Sequence, residues 1–167
     1  MKQLMIRQAH PEDAEILLEY LKRVGGESDN LSFGGEGLPF TPEQEAHYLQ
    51  QQQDDPRSVV FLAFANGELI GDGSLAALPR RMSHRAELGL SVVKDFWHMG
   101  VGTALLENLM RFAKTAGLEV ITLEVRSDNV RAIRLYEKFG FQRVGTHPAN
   151  MKIDESYIDV DIMYCKL

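Results

Sequence analysis

The run Glu87-Leu88-Gly89-Leu90-Ser91-Val92-Val93, followed closely by Gly100-Val101-Gly102-Thr103, decides the fold. In the first segment Leu88, Leu90 and Val92 alternate with Glu87, Gly89 and Ser91, the period-two pattern of a half-buried strand with something polar over Glu87. The second opens a run with apolar residues at Ala104, Leu105, Leu109, Phe112 and Ala113, which predicts an amphipathic helix ending at Gly117. Gly100 and Gly102 therefore fall at a helix N-terminus. Unpaired N–H groups and the positive end of the helix dipole meet there, and glycine lets a ligand approach the backbone closely. The expected guest is a phosphate or pyrophosphate.

Which phosphate compound binds is narrowed by elimination. A Walker A loop needs Gly-Lys-Ser/Thr, which is absent. A dinucleotide fingerprint needs a third glycine where the chain has Leu105, and an acidic residue after the next strand. Further on, a strand-like run over 120–125 precedes a second helix starting near Asn129, on which Asn129, Ile133 and Tyr136 share one face. Asn129 and Tyr136 are roughly 10 Å apart along the axis at about 1.5 Å per residue. A phosphate-bearing molecule with a long arm, met by an amide and a phenol, fits this layout.

These residues resemble the GNAT superfamily of acetyl-CoA-dependent N-acetyltransferases. The resemblance covers roughly 61–163: the Glu87 strand, the Gly100-Val101-Gly102-Thr103 loop and helix start, the Asn129 to Tyr136-Glu-Lys-Phe-Gly-Phe segment, and a closing strand from Tyr157 to Met163. It implies acetyl-CoA as co-substrate and no metal. It also implies that the amides of His98, Met99, Gly100, Val101, Gly102 and Thr103 hold the pyrophosphate, and that Leu90, Ser91 and Val92 bond the pantetheine arm. Asn129 serves the same arm, Tyr136 protonates the leaving thiolate, and Glu87 is the base or orients the amine. One position departs from the family: Trp97 stands where Gln or Arg is usual, three residues before the first loop glycine, though backbone donors survive that change.

Working outward, 167 residues of which 44% are hydrophobic and 25% charged suit one soluble globular domain over 1–167. A net charge of -6 argues against a nucleic-acid or anionic-membrane partner. No apolar run approaches the ~20 residues of a membrane helix, and the N-terminus lacks a signal peptide's pattern, so the cytoplasm is the expected compartment. Cys165, the single cysteine, excludes an internal disulfide, and the five histidines have no metal-ligand spacing.

On the N-terminal side, a short strand at 4–9 precedes a helix from Pro11 to about Val24, ended by Gly25-Gly26. A loop to Pro39, anchored by Leu31, Phe33 and Leu38, reads as a lid over substrate. Thr41-Pro42-Glu43-Gln44 is a capping box opening a helix that stops before Asp55-Pro56. Strands over 58–65 and 68–77 flank Asn66-Gly67, a strong hairpin signal. Two more strands are expected at 141–144 and 153–167, the last alternating Tyr157, Asp159, Asp161 and Met163 against Ile158, Val160 and Ile162. The whole is an α+β domain: a mixed, mostly antiparallel sheet of about seven strands flanked by about four helices. In the resembled family the sheet splays beside its central strand and the acyl-CoA enters the gap.

Each residue also has a plain structural reading. Tyr136 suits a packed helix aromatic, Asn129 an N-cap, and Glu87 beside Arg85 a solvated cross-strand charge. Arg80, Arg81, His84 and Arg85 form a basic turn, and Arg131, Arg134 and Lys138 share a helix face suited to the 3′-phosphate of CoA. The functional reading is direct attack by a primary amine on the acetyl thioester, the acceptor being a small-molecule amine, an amino acid or a peptide or protein N-terminus. The alternative is a non-catalytic acyl-CoA sensor, which has no need of Tyr136 or Glu87. A homodimer is compatible with the resemblance.

Overall fold

The computed structural model describes residues 3–167. Strand β1 (Leu4–Gln8) leads through a 3-10 turn at Pro11–Asp13 into α1 (Ala14–Glu27), and α2 (Pro42–Asp54) follows. Next come β2 (Val59–Ala65), β3 (Glu68–Ala77), β4 (Arg85–Val92), α3 (Val101–Thr115), β5 (Val120–Arg126), α4 (Val130–Lys138), β6 (Gln142–Ile153) and β7 (Ser156–Lys166). The strands form one sheet in the order β1-β2-β3-β4-β5-β7-β6. Every adjacent pair is antiparallel except β4 with β5. This is the α+β arrangement that the sequence implies.

Local chemistry sets the junctions. Asn66 and Gly67 take φ of 51° and 80°, so the β2–β3 hairpin closes with the turn whose twist matches the strands. At the start of α2, Gln44 N–H donates to Thr41 Oγ1 at 3.2 Å and Thr41 N–H donates to Gln44 Oε1 at 2.9 Å, completing the capping box. Leu105, Leu106, Leu109 and Ala113 of α3 are fully buried against one face of the sheet. Helix α1 covers the other face, where Tyr20 reaches β4. Burying each leucine contributes about 1.5–3 kcal/mol, so the stripe at helical spacing fixes which way α3 faces.

Four expectations need correction. Helix α1 does not stop at Gly25-Gly26 but continues to Glu27. Gly25 is there for contact: a Cβ on it would lie 2.1 Å from the carbonyl oxygen of Gly34 in the following loop. The strand expected at 141–144 runs instead over Gln142–Ile153. Its side chains are mostly exposed and its register with β7 shifts between His147 and Met151, so no alternating pattern marks it. The last strand starts at Ser156, because Asp154 and Glu155, with φ of 47° and 66°, make the turn. Along β7 the simple alternation also fails, since Val160 and Asp161 are both buried. Asp161 accepts hydrogen bonds from Ser127 Oγ at 2.6 Å and Thr146 Oγ1 at 2.7 Å, which supply the partners a buried carboxylate needs.

The feature that positions the site is the junction of β4 and β5. Their parallel pairing covers only Arg85, Ala86 and Glu87 against Val120, Ile121 and Thr122. Beyond Glu87 the two strands part. On its other edge β4 stays paired with β3, Ser91 opposite Asp72 and Val93 N–H donating to Ile70 O at 2.9 Å. Antiparallel alternation then turns the peptide groups of Ser91 onto β3 and leaves those of Leu90 and Val92 facing the opening.

Candidate active site

The opening between β4 and β5 is a cleft of about 1430 Å³, continuing along the N-terminus of α3 and one side of α4. Its β4 wall carries Glu87, Leu90, Ser91 and Val92, and its far end carries His98, Gly100, Val101, Gly102 and Thr103. Asn129 and Tyr136 line it from α4. Of the candidate catalytic and cofactor-binding residues Met99 alone lies off the cleft wall, with its side chain exposed, while Ile133, expected on the Asn129–Tyr136 face, packs against the core.

At the α3 end, Gly100 is the N-cap residue with φ of 83°, a conformation that a side chain resists. Ala104 N–H is the first of the helix to find an intrahelical acceptor, Gly100 O at 3.0 Å. The N–H groups of Val101, Gly102 and Thr103 are therefore free for an anion at the positive end of the helix dipole. A Cβ on Gly102 would pack 3.4 Å from Leu135, inside the cleft lining. Trp97 Nε1–H donates to Val92 O at 2.8 Å, tying the loop to the end of β4. The guanidinium of Arg131 stacks 4.4 Å from the indole centroid, and its Nη1 lies 2.9 Å from His98 Nε2. Arg134 and Lys138 line the same mouth.

Asn129 caps α4, accepting from Ala132 N–H at 3.3 Å, as its plain reading holds. Tyr136 is buried and packs edge-on to Phe141 at 5.8 Å. Its hydroxyl has no hydrogen-bond partner among the described residues, and burial pushes its pKa up to about 12, so the phenol keeps its proton at neutral pH. Glu87 is exposed, 4.0 Å from Arg85 Nη2. Arg85 Nε is buried with no partner among the described residues.

The loop expected to be a lid forms a wall. Ser28, Asn30, Leu31 and Ser32 line the cleft, and Arg126 Nη1 donates to Asp29 O at 3.2 Å from across it. Leu31, Phe33 and Leu38 anchor the loop to the core.

Sequence reasoning missed Tyr20 and Asp72. The Ser91 hydroxyl donates to Asp72 Oδ1 and lies 2.8 Å from the Tyr20 hydroxyl. Burial raises the Asp72 pKa to about 6, against the opposing effect of the Ser91 and Tyr20 hydroxyls. Tyr20 sits in the apolar stripe of α1 and leaves no trace in the pattern. Asp72, a carboxylate inside the strand run Ile70-Gly71-Asp72-Gly73-Ser74-Leu75, is a signal that was there to be read.

The sequence model of the Acetyltransferase (GNAT) family matches residues 30–141. The chain belongs to this family. It is 37% identical over 144 residues to an N-alpha-acetyltransferase of Sulfolobus acidocaldarius, covering 80% of this chain and 86% of that protein. It is 25% identical over 166 residues to the L-amino acid N-acetyltransferase AaaT of Escherichia coli strain K12, covering 98% of each. The crystal structure of an acetyltransferase of the GNAT family from Streptococcus pneumoniae superposes with a TM-score of 0.95 at 33% identity, over 99% of this chain and 100% of that one. As a GNAT N-acetyltransferase, the protein transfers an acetyl group from acetyl-CoA to an amine.

Proposed function

We propose that this GNAT enzyme acetylates the primary amine of a small amphoteric acceptor, an α-amino acid or a chain N-terminus in chemical class, by direct attack on acetyl-CoA. The observation that carries this reading is the pair Arg85 and Glu87 at the inner end of the cleft, opposite charges 4.0 Å apart with Arg85 Nε buried and unpartnered. An α-amino acid carries its ammonium and carboxylate on one carbon, so it meets such a pair charge for charge. The amino-acid specificity in the name of the Escherichia coli relative supports the same class. Nothing in the comparisons favours a non-catalytic sensor.

In this reading the free N–H groups at the start of α3 take the pyrophosphate, and the peptide groups of Leu90 with the N–H of Val92 take the pantetheine arm, Val92 O being held by Trp97. Arg131, Arg134 and Lys138 meet the 3′-phosphate. Developing charge on the thioester oxygen is met by a backbone N–H of β4, and Tyr136 gives its proton to the sulfur. Glu87 draws in and orients the ammonium. Residues 1–167 act as one domain, and the cytoplasm is the compartment. Among the described residues no helix is long and apolar enough to cross a membrane, which agrees with that placement.

The test is thiol release from acetyl-CoA across a panel of free amino acids, dipeptides and simple monoamines. Amphoteric acceptors are expected to be turned over best, and Arg85→Met is expected to raise their KM about tenfold while leaving that of a monoamine unchanged. Equal use of monoamines by the wild type, or no turnover of any amine, overturns the reading.

A further inference from the structure

The acceptor-facing side of β4 reads Glu87, Gly89, Ser91, and Gly89 has no side chain, so the strand is bare between the other two. At about 3.3 Å per residue, Glu87 and Ser91 each stand about 6.6 Å along the strand from that gap. The floor beside it is small and polar, since a Cβ on Gly89 would meet Ser74 Oγ of β3 at 3.1 Å. An amine seated over Gly89 with its charge toward Glu87 has the Ser91 hydroxyl on its other side. That hydroxyl is the middle of a chain drawn from three elements, Tyr20 of α1, Ser91 of β4 and Asp72 of β3, of which Ser91 lines the cleft.

We infer that Asp72, reached through the Ser91 hydroxyl, is the group that accepts the proton from the bound ammonium, with Tyr20 as the positioning residue that orients Ser91. This rests on the acetyl-transfer reading above and assigns Glu87 the part of holding the cation. Atoms and charge are conserved in the step. An N–H bond of the ammonium breaks as a water molecule over Gly89 takes that proton and gives one of its own to Ser91 Oγ, while the original Ser91 proton passes to Asp72 Oδ1. The freed lone pair attacks the thioester carbon, the C–S bond breaks with its electrons on sulfur, and sulfur takes a proton from Tyr136. A second proton leaves nitrogen as the amide forms and replaces, in net, the one that Tyr136 gave. The sum is ammonium plus acetyl thioester going to amide, thiol and one proton, which Asp72 returns to the cleft through Ser91.

Three observations separate Asp72 from Glu87. Glu87 is exposed and shares its charge with Arg85, whereas Asp72 is half-buried and, among the described residues, has no cation paired with it. The groups bonded to Asp72 or within reach of its charge are hydroxyls and acids: Tyr20 from α1, Glu45 and Tyr48 from α2, and Ser91 from β4, while β2 presents Leu62 opposite it. Burial, with the Asp72 charge adding to it, raises the pKa of Glu45, and burial with both acids raises that of Tyr48. Tyr20 is likewise held protonated by burial and by Asp72. It can therefore give its hydrogen bond to Ser91 Oγ and leave the Ser91 proton for Asp72. A carboxylate with a pKa of about 6 is ionised at neutral pH yet still a competent base, which is where general-base efficiency is greatest.

The test uses the full chain and the best amine of the panel. The wild type is expected to show kcat/KM rising with pH through about 6. In Asp72→Asn and in Ser91→Ala that limb should vanish, with the rate at pH 7 down about 10²-fold and climbing only as free amine becomes abundant. Glu87→Gln should keep the limb and raise the KM for the amine, and Tyr20→Phe should keep it with a loss of several-fold. Circular dichroism and acetyl-CoA affinity check that each variant is folded, and either Asp72→Asn or Ser91→Ala suffices if the other is not. A limb that persists in the folded variants, or that disappears only in Glu87→Gln, overturns the assignment. Carboxyl-carbon NMR of the substrate-free protein is a second measurement, one that needs no acceptor. An Asp72 signal titrating near 4 overturns the proposal even if amines are acetylated, whereas absence of turnover with Asp72 titrating near 6 faults the acceptor class alone.

Discussion

The two sides of the cleft are built from different material. The side that the proposed function gives to the cofactor, from the end of β4 through α3 to α4, presents backbone: the N–H groups of Val101, Gly102 and Thr103, and the strand edge at Leu90 and Val92. The side that the proposed function gives to the acceptor presents side chains from separated parts of the chain, Tyr20, Asp72, Glu87 and Ser91. A backbone site needs glycines at fixed places and so leaves a motif in the sequence. A side-chain site can be assembled from any elements that fold together, and leaves none.

The sharpest way to break the comparison is at the glycines. Gly102→Val places two methyls in the cleft beside Leu135, and acetyl-CoA binding measured by calorimetry is expected to disappear while the circular dichroism spectrum is kept. An unchanged affinity would mean that the cofactor side does not depend on bare backbone. Tyr136 is the exception on that side, a side chain whose proposed role arises only as charge develops on sulfur. Tyr136→Phe should lower kcat about 10²-fold with little change in the KM for acetyl-CoA, read from steady-state kinetics. A variant with full kcat would return Tyr136 to the core packing it shares with Phe141.

The smallest effect concerns stability on the acceptor side. Asp72 has its pKa raised to about 6 in the folded protein, above its unfolded value. Folding therefore favours the protonated form, and the stability it lends at low pH is lost as pH rises through about 6. Asp72→Asn does not titrate. Relative to the wild type its melting temperature should be higher at pH 7.5 than at pH 4.5, by about 2–4 °C if the partly exposed carboxylate costs roughly 1 kcal/mol. A difference that does not change with pH would remove Asp72 from the buried titrating groups.

What was legible follows the same division. The hairpin at Asn66-Gly67, the capping box at Thr41, the apolar stripe of α3 and the glycine loop each rest on contacts within a few residues, and all stand in the structure. The extent of β6 was not legible, because an exposed strand interrupted by a register shift takes its conformation from β7 and not from its own pattern. Gly25 misled for a related reason. In sequence a glycine pair reads as a stop, and only the fold brings Gly34 against it. The Tyr20–Ser91–Asp72 chain spans 71 positions between its first two members, a separation that no local pattern records.

Trp97 is the only tryptophan in the chain, and it sits at the mouth of the cofactor cleft with its N–H engaged and a guanidinium over its ring. All indole emission from this protein therefore comes from one place, the stretch of cleft wall that the proposed function gives to CoA. The residue that departs from the family's pattern thus gives the enzyme a native optical reporter, so cofactor occupancy can be followed by fluorescence in unlabelled protein.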